Sequence, residues 1–253
     1  MMSVKKIKYL SFFSVALIIG AVIYHQIPFK FEHLGYTDKI WAHRVNSIEK
    51  LEYTQENYTG IELDIMFDKS TLSFDVNHPP AASINLNLDT YFSQIDSIKK
   101  LGIWLDFKNL DSINRHEALN RLLQLTEKYH LNKSSIIVES QFPEYLDIFS
   151  NVGFITSYYL PTRLSDLNEK NLHVKIEQIK NNILQYPTTA ISTNINDYEL
   201  IATFFPHKKK YLWSIDKTYT SRFFKNFLTT KKALKDSTVK SVLVRVNKDI
   251  GRR

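Results

Sequence analysis

The stretch TGIELDIMF (Thr59–Phe67) alternates apolar and acidic residues with a period of two. Ile61, Leu63 and Ile65 form one face of a strand, and Glu62 and Asp64 share the other, because side chains at i and i+2 point the same way. Two carboxylates on one buried face repel each other and lose hydration, so one is protonated unless a cation joins them. In a parallel barrel the outward strand faces pack on helices, and the inward faces near the carboxyl ends of the strands build the active site. That architecture puts the acidic pair at the mouth of a barrel.

The remaining chain supports it. Strand-like runs at Lys39–Arg44, Gly60–Met66, Gly102–Lys108, Ser134–Ser140, Gly153–Leu160, Thr189–Thr193, Lys210–Asp216 and Ser241–Val246 alternate with helical patterns such as Leu88–Leu101 and Asn114–His130. A short extra strand is expected within Thr71–His78. Eight strands alternating with helices predict a (β/α)8 TIM barrel over residues 39–253, with a doubly wound open sheet as the alternative.

The first 28 residues read differently. Lys5, Lys6 and Lys8 precede an apolar run from Tyr9 to Tyr24, and no formal charge follows until Lys30. A basic flank before a run of that length is the pattern of a transmembrane helix whose lysines stay cytoplasmic, which sends residues 31–253 across the membrane. A cleaved signal segment shares the first two features but lacks small residues at a cut site here. Residues 29–38 read as a tether. The expected location is therefore single-pass membrane, with the main domain extracytoplasmic.

The net charge of +7 is uneven: fourteen Lys and Arg lie from His207 onward against three Asp. A basic region of this kind suits anionic lipid or a phosphate-bearing substrate, or simply solvated helix faces. An export pattern without a recognition module argues against nucleic acid. With no cysteine, disulfides and thiolate metal sites are excluded.

Charged residues recur at the ends of the first three long strands. His43 and Arg44 end the first, Glu62 and Asp64 lie on the second, His78 follows it, and Asp106 and Lys108 share the polar face of the third. Three carboxylates without sulfur suit a hard cation, Mg²⁺ or Ca²⁺. Two histidines beside it can act as general base and acid. Arg44 and Lys108 can hold an anion, Arg as the better fork for phosphate. Trp213 is either barrel packing or a substrate platform. Taken singly, each has a structural reading: a solvated strand face, an ion pair, a strand-end histidine. Together they describe phosphodiester chemistry.

The order H-R, E-x-D, a following His and acid-x-Lys resembles the glycerophosphodiester phosphodiesterase superfamily of phospholipase-C-like barrels. HRVNS (His43–Ser47), IELDI, NHPP (Asn77–Pro80) and LGIWLDFKNL (Leu101–Leu110) are similar to its menorin-like branch. The resemblance implies a (β/α)8 fold, a metal held by Glu62, Asp64 and Asp106, and catalysis by His43 and His78. Val45 stands where glycerophosphodiesterases carry a glycine, and their E-N-T signature is not in its usual place. The expected activity is metal-dependent hydrolysis of glycerophosphodiesters or phospholipid head groups. The alternative is a non-enzymatic extracytoplasmic binding or adhesion protein on the same barrel.

Overall fold

The computed structural model describes residues 30–96, 98–214 and 223–246, with scattered positions between 9 and 20. Nine strands are present among them: β1 (Ile40–His43), β2 (Gly60–Asp68), β3 (Ser73–Val76), β4 (Gly102–Phe107), β5 (Ile136–Ser140), β6 (Ile155–Tyr159), β7 (Ala190–Asn194), β8 (Lys210–Ser214) and β9 (Val239–Arg245). All except β3 run parallel, in the order β1-β9-β8-β7-β6-β5-β4-β2. The ring closes because β1 also pairs with β2 at Ala42↔Ile61. The strands therefore form an eight-stranded barrel, not an open sheet. β3 lies outside the ring, antiparallel to β2.

Helices alternate with the strands: α1 (Ile48–Asn57), α2 (Leu88–Ser93), α3 (Arg115–Lys128), α4 (Asp147–Asn151), α5 (Glu169–Gln185), α6 (Tyr198–Phe204) and α7 (Phe223–Lys235). In α3, Ala118, Leu119, Leu122 and Leu125 are buried at three- and four-residue spacing, the stripe a barrel helix presents to its strands. Outward strand residues meet such stripes, and Ile61, Leu63, Ile65, Leu105 and Val138 are fully buried.

Two expectations change. The helical pattern Leu88–Leu101 yields only α2, which ends at Ser93. Beyond it Gln55 accepts the backbone N–H of Asp96, and the Asp96 carboxylate accepts that of Ile98, a local turn that competes with helix. Ile98 is solvent-exposed, so the apolar spacing there has no core to face. Within the expected tether, Phe31–His33 forms a 3-10 turn against α7 with Glu32 and His33 buried, so the chain from Phe31 belongs to the folded body. Among the described residues no helix is long and apolar enough to cross a membrane. The expected span, Tyr9–Tyr24, lies largely outside them.

The amino-terminal end of the barrel is plugged by one ring. Trp41 lies over Gly60 and Gly102, which are register partners on β2 and β4. A β-carbon at either glycine would overlap the indole. Ile137, Ile155, Ala190 and Tyr211 complete this apolar floor. Gly60→Ala is expected to destabilise the protein by about 1–3 kcal/mol through overpacking. Urea denaturation measures the loss, and Trp41→Leu in the same chain should recover part of it.

Candidate active site

The first strand and the loop after it supply half of the site. Arg44 has a left-handed backbone (φ 56°), and its N–H donates to Glu62 Oε2 at 2.7 Å. Because this turn is made at Arg44, the next residue needs no special conformation, and a fully buried Val45 takes the place of a glycine. Val45 N–H donates to the Glu62 carbonyl, and Tyr91 of α2 donates its hydroxyl to the Val45 carbonyl at 2.7 Å. Asn46 then grips Asp64 twice. Its Nδ2 donates to Oδ2 at 2.6 Å, and its Oδ1 accepts the Asp64 N–H at 3.0 Å. Ser47 caps α1 by accepting the N–H of Lys50. The sequence HRVNS is thus a strand end, a turn, a carboxylate clamp and a helix cap in order.

Glu62 and Asp64 face into the barrel, only 2% and 1% exposed. Register places Asp64 beside Asp106 on β4, and Asp106 beside Glu139 on β5. One oxygen from each of Glu62, Asp64 and Asp106 lies within 4.8 Å of the others. Burial raises the Glu62 carboxyl well above its ordinary value, and Asp64 and Asp106 raise it further. Burial raises Asp106 as well, against the pull of Lys108. Lys108 Nζ lies 2.8 Å from Asp64 Oδ1 and also contacts Asp106 Oδ2. Burial alone would depress this ammonium, but the two carboxylates outweigh it and hold it charged. One ammonium among three close carboxylates leaves negative charge uncompensated, so the donor set fits an oxygen-ligated divalent cation.

The two histidines flank this cluster. His43 Nε2 is 3.5 Å from Glu62 Oε2. Burial, then Arg44, pushes its pKa down to about 3, so the ring is neutral near pH 7. His78 arrives from the loop after β3, which is tied to β2 by the Asn77 N–H donating to the Asp64 carbonyl. Its Nε2 lies 3.9 Å from Asp64 Oδ1 and 2.8 Å from an Arg44 terminal nitrogen. Guanidinium only donates, so Nε2 is the bare nitrogen of His78 in this arrangement.

These groups line a cavity of about 90 Å³ at the barrel mouth, together with Trp104, Glu139, Tyr159, Trp213 and Leu243. Trp213 is buried and stacks on Tyr159, with ring centroids 4.8 Å apart and planes at 14°. It is both barrel packing and cavity wall. All eight residues singled out from the sequence therefore meet around one cavity. Glu139, Asn46, Tyr159 and Trp104 were not singled out. Glu139 had a visible signal, since it follows outward-facing Val138 along β5 as Asp64 follows Leu63 along β2.

The family model of the Menorin N-terminal domain matches residues 36–139. No match is found among curated proteins. Among solved structures, a glycerophosphodiester phosphodiesterase from Parabacteroides distasonis superposes with a TM-score of 0.56 at 13% identity, covering 83% of this chain and 93% of the other. A phosphodiesterase from Oleispira antarctica, solved with its product sn-glycerol-3-phosphate, gives 0.56 at 9% identity with the same coverage of both chains. This chain has the barrel fold of those phosphodiesterases.

Proposed function

We propose that the protein is a divalent-cation-dependent phosphodiesterase acting on glycerophosphodiesters or phospholipid head groups. The observation that carries the reading is the convergence of Glu62, Asp64 and Asp106 between two imidazoles and two fixed cations at the barrel mouth. Glu62, Asp64 and Asp106 would hold Mg²⁺ or Ca²⁺, whose chemistry is to polarise a phosphoryl oxygen. Arg44 and Lys108 draw the anionic phosphate into the cavity and offset charge that builds up in the transition state. His43, kept neutral by burial, is suited to remove the proton of the attacking hydroxyl or water. His78 would have to take a proton from solvent at Nε2 once Arg44 turns to the phosphate, and the imidazolium so formed would give that proton to the departing alkoxide. Trp213, stacked on Tyr159, forms a flat wall for the alcohol.

The apolar run before Lys30 and the likeness to a menorin domain support a membrane-tethered, extracytoplasmic placement, with no nucleic-acid partner. A second reading, a barrel that binds ligands without turnover, is favoured by Lys108, which already sits between two of the three carboxylates. Assaying the full chain in detergent against glycerophosphodiesters and phospholipids, with and without Mg²⁺ and Ca²⁺, separates the two. Cation-dependent release of a phosphomonoester or cyclic phosphate is the expected result. Binding of these compounds without any product would favour the second reading.

A further inference from the structure

The end of the barrel opposite the cavity, at the amino-terminal ends of β1, β8 and β9, gathers cations. Lys39 Nζ donates to the carbonyls of Leu234 and Asp236, which ties the entry to β1 onto the exit of α7. Lys210, fully buried at the start of β8, is the register partner of Val239. Its ammonium donates to the Lys208 carbonyl and to Thr238 Oγ1. These bonds stitch segments 36–39, 206–210 and 234–240 side by side. Lys39, Lys208, Lys209, Lys210, Lys235 and Lys240 stand on them against two acids, Asp38 and Asp236. Lys209, Lys235 and Lys240 are exposed. The described rim of the mouth has no such excess, since exposed Asp68, Asp111 and Asp166 balance Lys69, Arg44 and Arg163 there.

The same end is where the chain arrives. Only residues 25–29 separate the apolar run ending at Tyr24 from Lys30, where the described body begins. Such a stretch reaches at most about 18 Å. From Lys30 the chain turns tightly, the N–H groups of His33, Tyr36 and Lys39 each donating to the carbonyl three residues back. It then enters β1 at its amino-terminal end. Phe31 and Leu34 on these turns are each 67% exposed. The cavity lies the length of a strand away, about 20 Å.

We infer that this end docks on an anionic lipid surface through Lys209, Lys235 and Lys240, and so turns the cavity away from the bilayer. The inference rests on the membrane placement proposed above, while the docking itself can be probed separately. Anionic head groups suit flexible lysines, which need no fixed geometry and each strengthen attachment about fivefold. Phe31 and Leu34 supply the apolar part of the contact beside them. A second copy of the chain is the poorer occupant, since a two-fold contact would set these lysines against their own counterparts. A diester then reaches the cavity from the aqueous side, not from the leaflet beneath the barrel.

The chain has no cysteine, so a single introduced thiol carries a fluorophore at a chosen place. Ser237→Cys labels the docking end and Thr162→Cys the mouth, both at exposed positions. Each full chain is reconstituted in vesicles of phosphatidylcholine, with or without phosphatidylglycerol, carrying spin-labelled head groups as quencher. The label at position 237 should be quenched several-fold more in anionic than in neutral vesicles, and the label at position 162 in neither. Salt at about 1 M should remove the difference, because the Debye length falls to about 3 Å. Combining Lys209→Gln, Lys235→Gln and Lys240→Gln should remove it as well, with the thermal midpoint unchanged. Stronger quenching at the mouth overturns the inference, and so does equal quenching at position 237 in both lipids. Self-association in sedimentation without any lipid preference also overturns it and makes this end a contact between copies. Alkaline extraction reads the span independently. A chain that alkali releases, yet anionic vesicles still quench at position 237, keeps the docking surface and loses the membrane anchor.

Discussion

His43→Ala is expected to lower turnover of a phosphodiester by about 10²–10⁴-fold while leaving divalent-cation binding intact. The ring's Nε2 stands 3.5 Å from Glu62 Oε2, and that oxygen is already held by the Arg44 N–H, so the cluster keeps its shape without it. His78→Ala should cost a comparable factor, but with a different signature. A diester whose leaving group needs no proton should recover most of its rate in His78→Ala and little in His43→Ala, since only the first variant lacks the proton donor. Steady-state kinetics on an alkyl and a nitrophenyl ester of the same phosphate read the pattern. Equal rescue in both variants would remove the division of roles, and no loss in either would make both rings structural.

Glu62→Gln is expected to raise the stability of the cation-free protein by about 0.5–2 kcal/mol while abolishing its response to divalent cations. The sign follows from the cluster. Burial, Asp64 and Asp106 all disfavour the charged form of Glu62, and a neutral amide keeps an oxygen for the Arg44 N–H without that repulsion. In the wild type, a cation at a hundred times its dissociation constant adds about 2.7 kcal/mol. Thermal melts with and without Mg²⁺ or Ca²⁺ therefore cross over: the variant melts higher without cation, the wild type higher with it. A variant that melts lower without cation would show that Glu62 is structural.

The acidic faces of β2 and β4 were legible because inward polar residues interrupt strands that are otherwise buried and apolar. A parallel barrel collects charged side chains at successive strand ends at one mouth. Glu139 carried the same alternation, but it stands on β5 without a neighbouring charged residue on the strand to draw attention to it. Trp104 shares the inward face of its strand with Asp106 and Lys108, and its place beside Glu139 at the cavity depends on the pairing of β4 with β5. The stacking of Tyr159 on Trp213 joins β6 and β8, which are not adjacent, and depends on barrel closure rather than on any local pattern. Asn46 stands in the HRVNS motif without a role that its sequence alone discloses, and its two hydrogen bonds to Asp64 fix the carboxylate around which the site is built. The short α2 failed the reverse test: its apolar spacing continued past the point where the chain leaves the barrel surface.

The central claim is that three buried carboxylates form a divalent-cation site. Isothermal calorimetry of Mg²⁺ and Ca²⁺ into the full chain, beside Asp64→Asn, tests it most directly. Asparagine preserves the shape of the side chain but removes one of the converging charges. The account predicts one cation per chain in the wild type, with affinity lost in Asp64→Asn for the same ion. Equal heats in the two proteins, or none in the wild type at millimolar cation, would contradict it and leave Lys108 as the only positive charge the cluster holds.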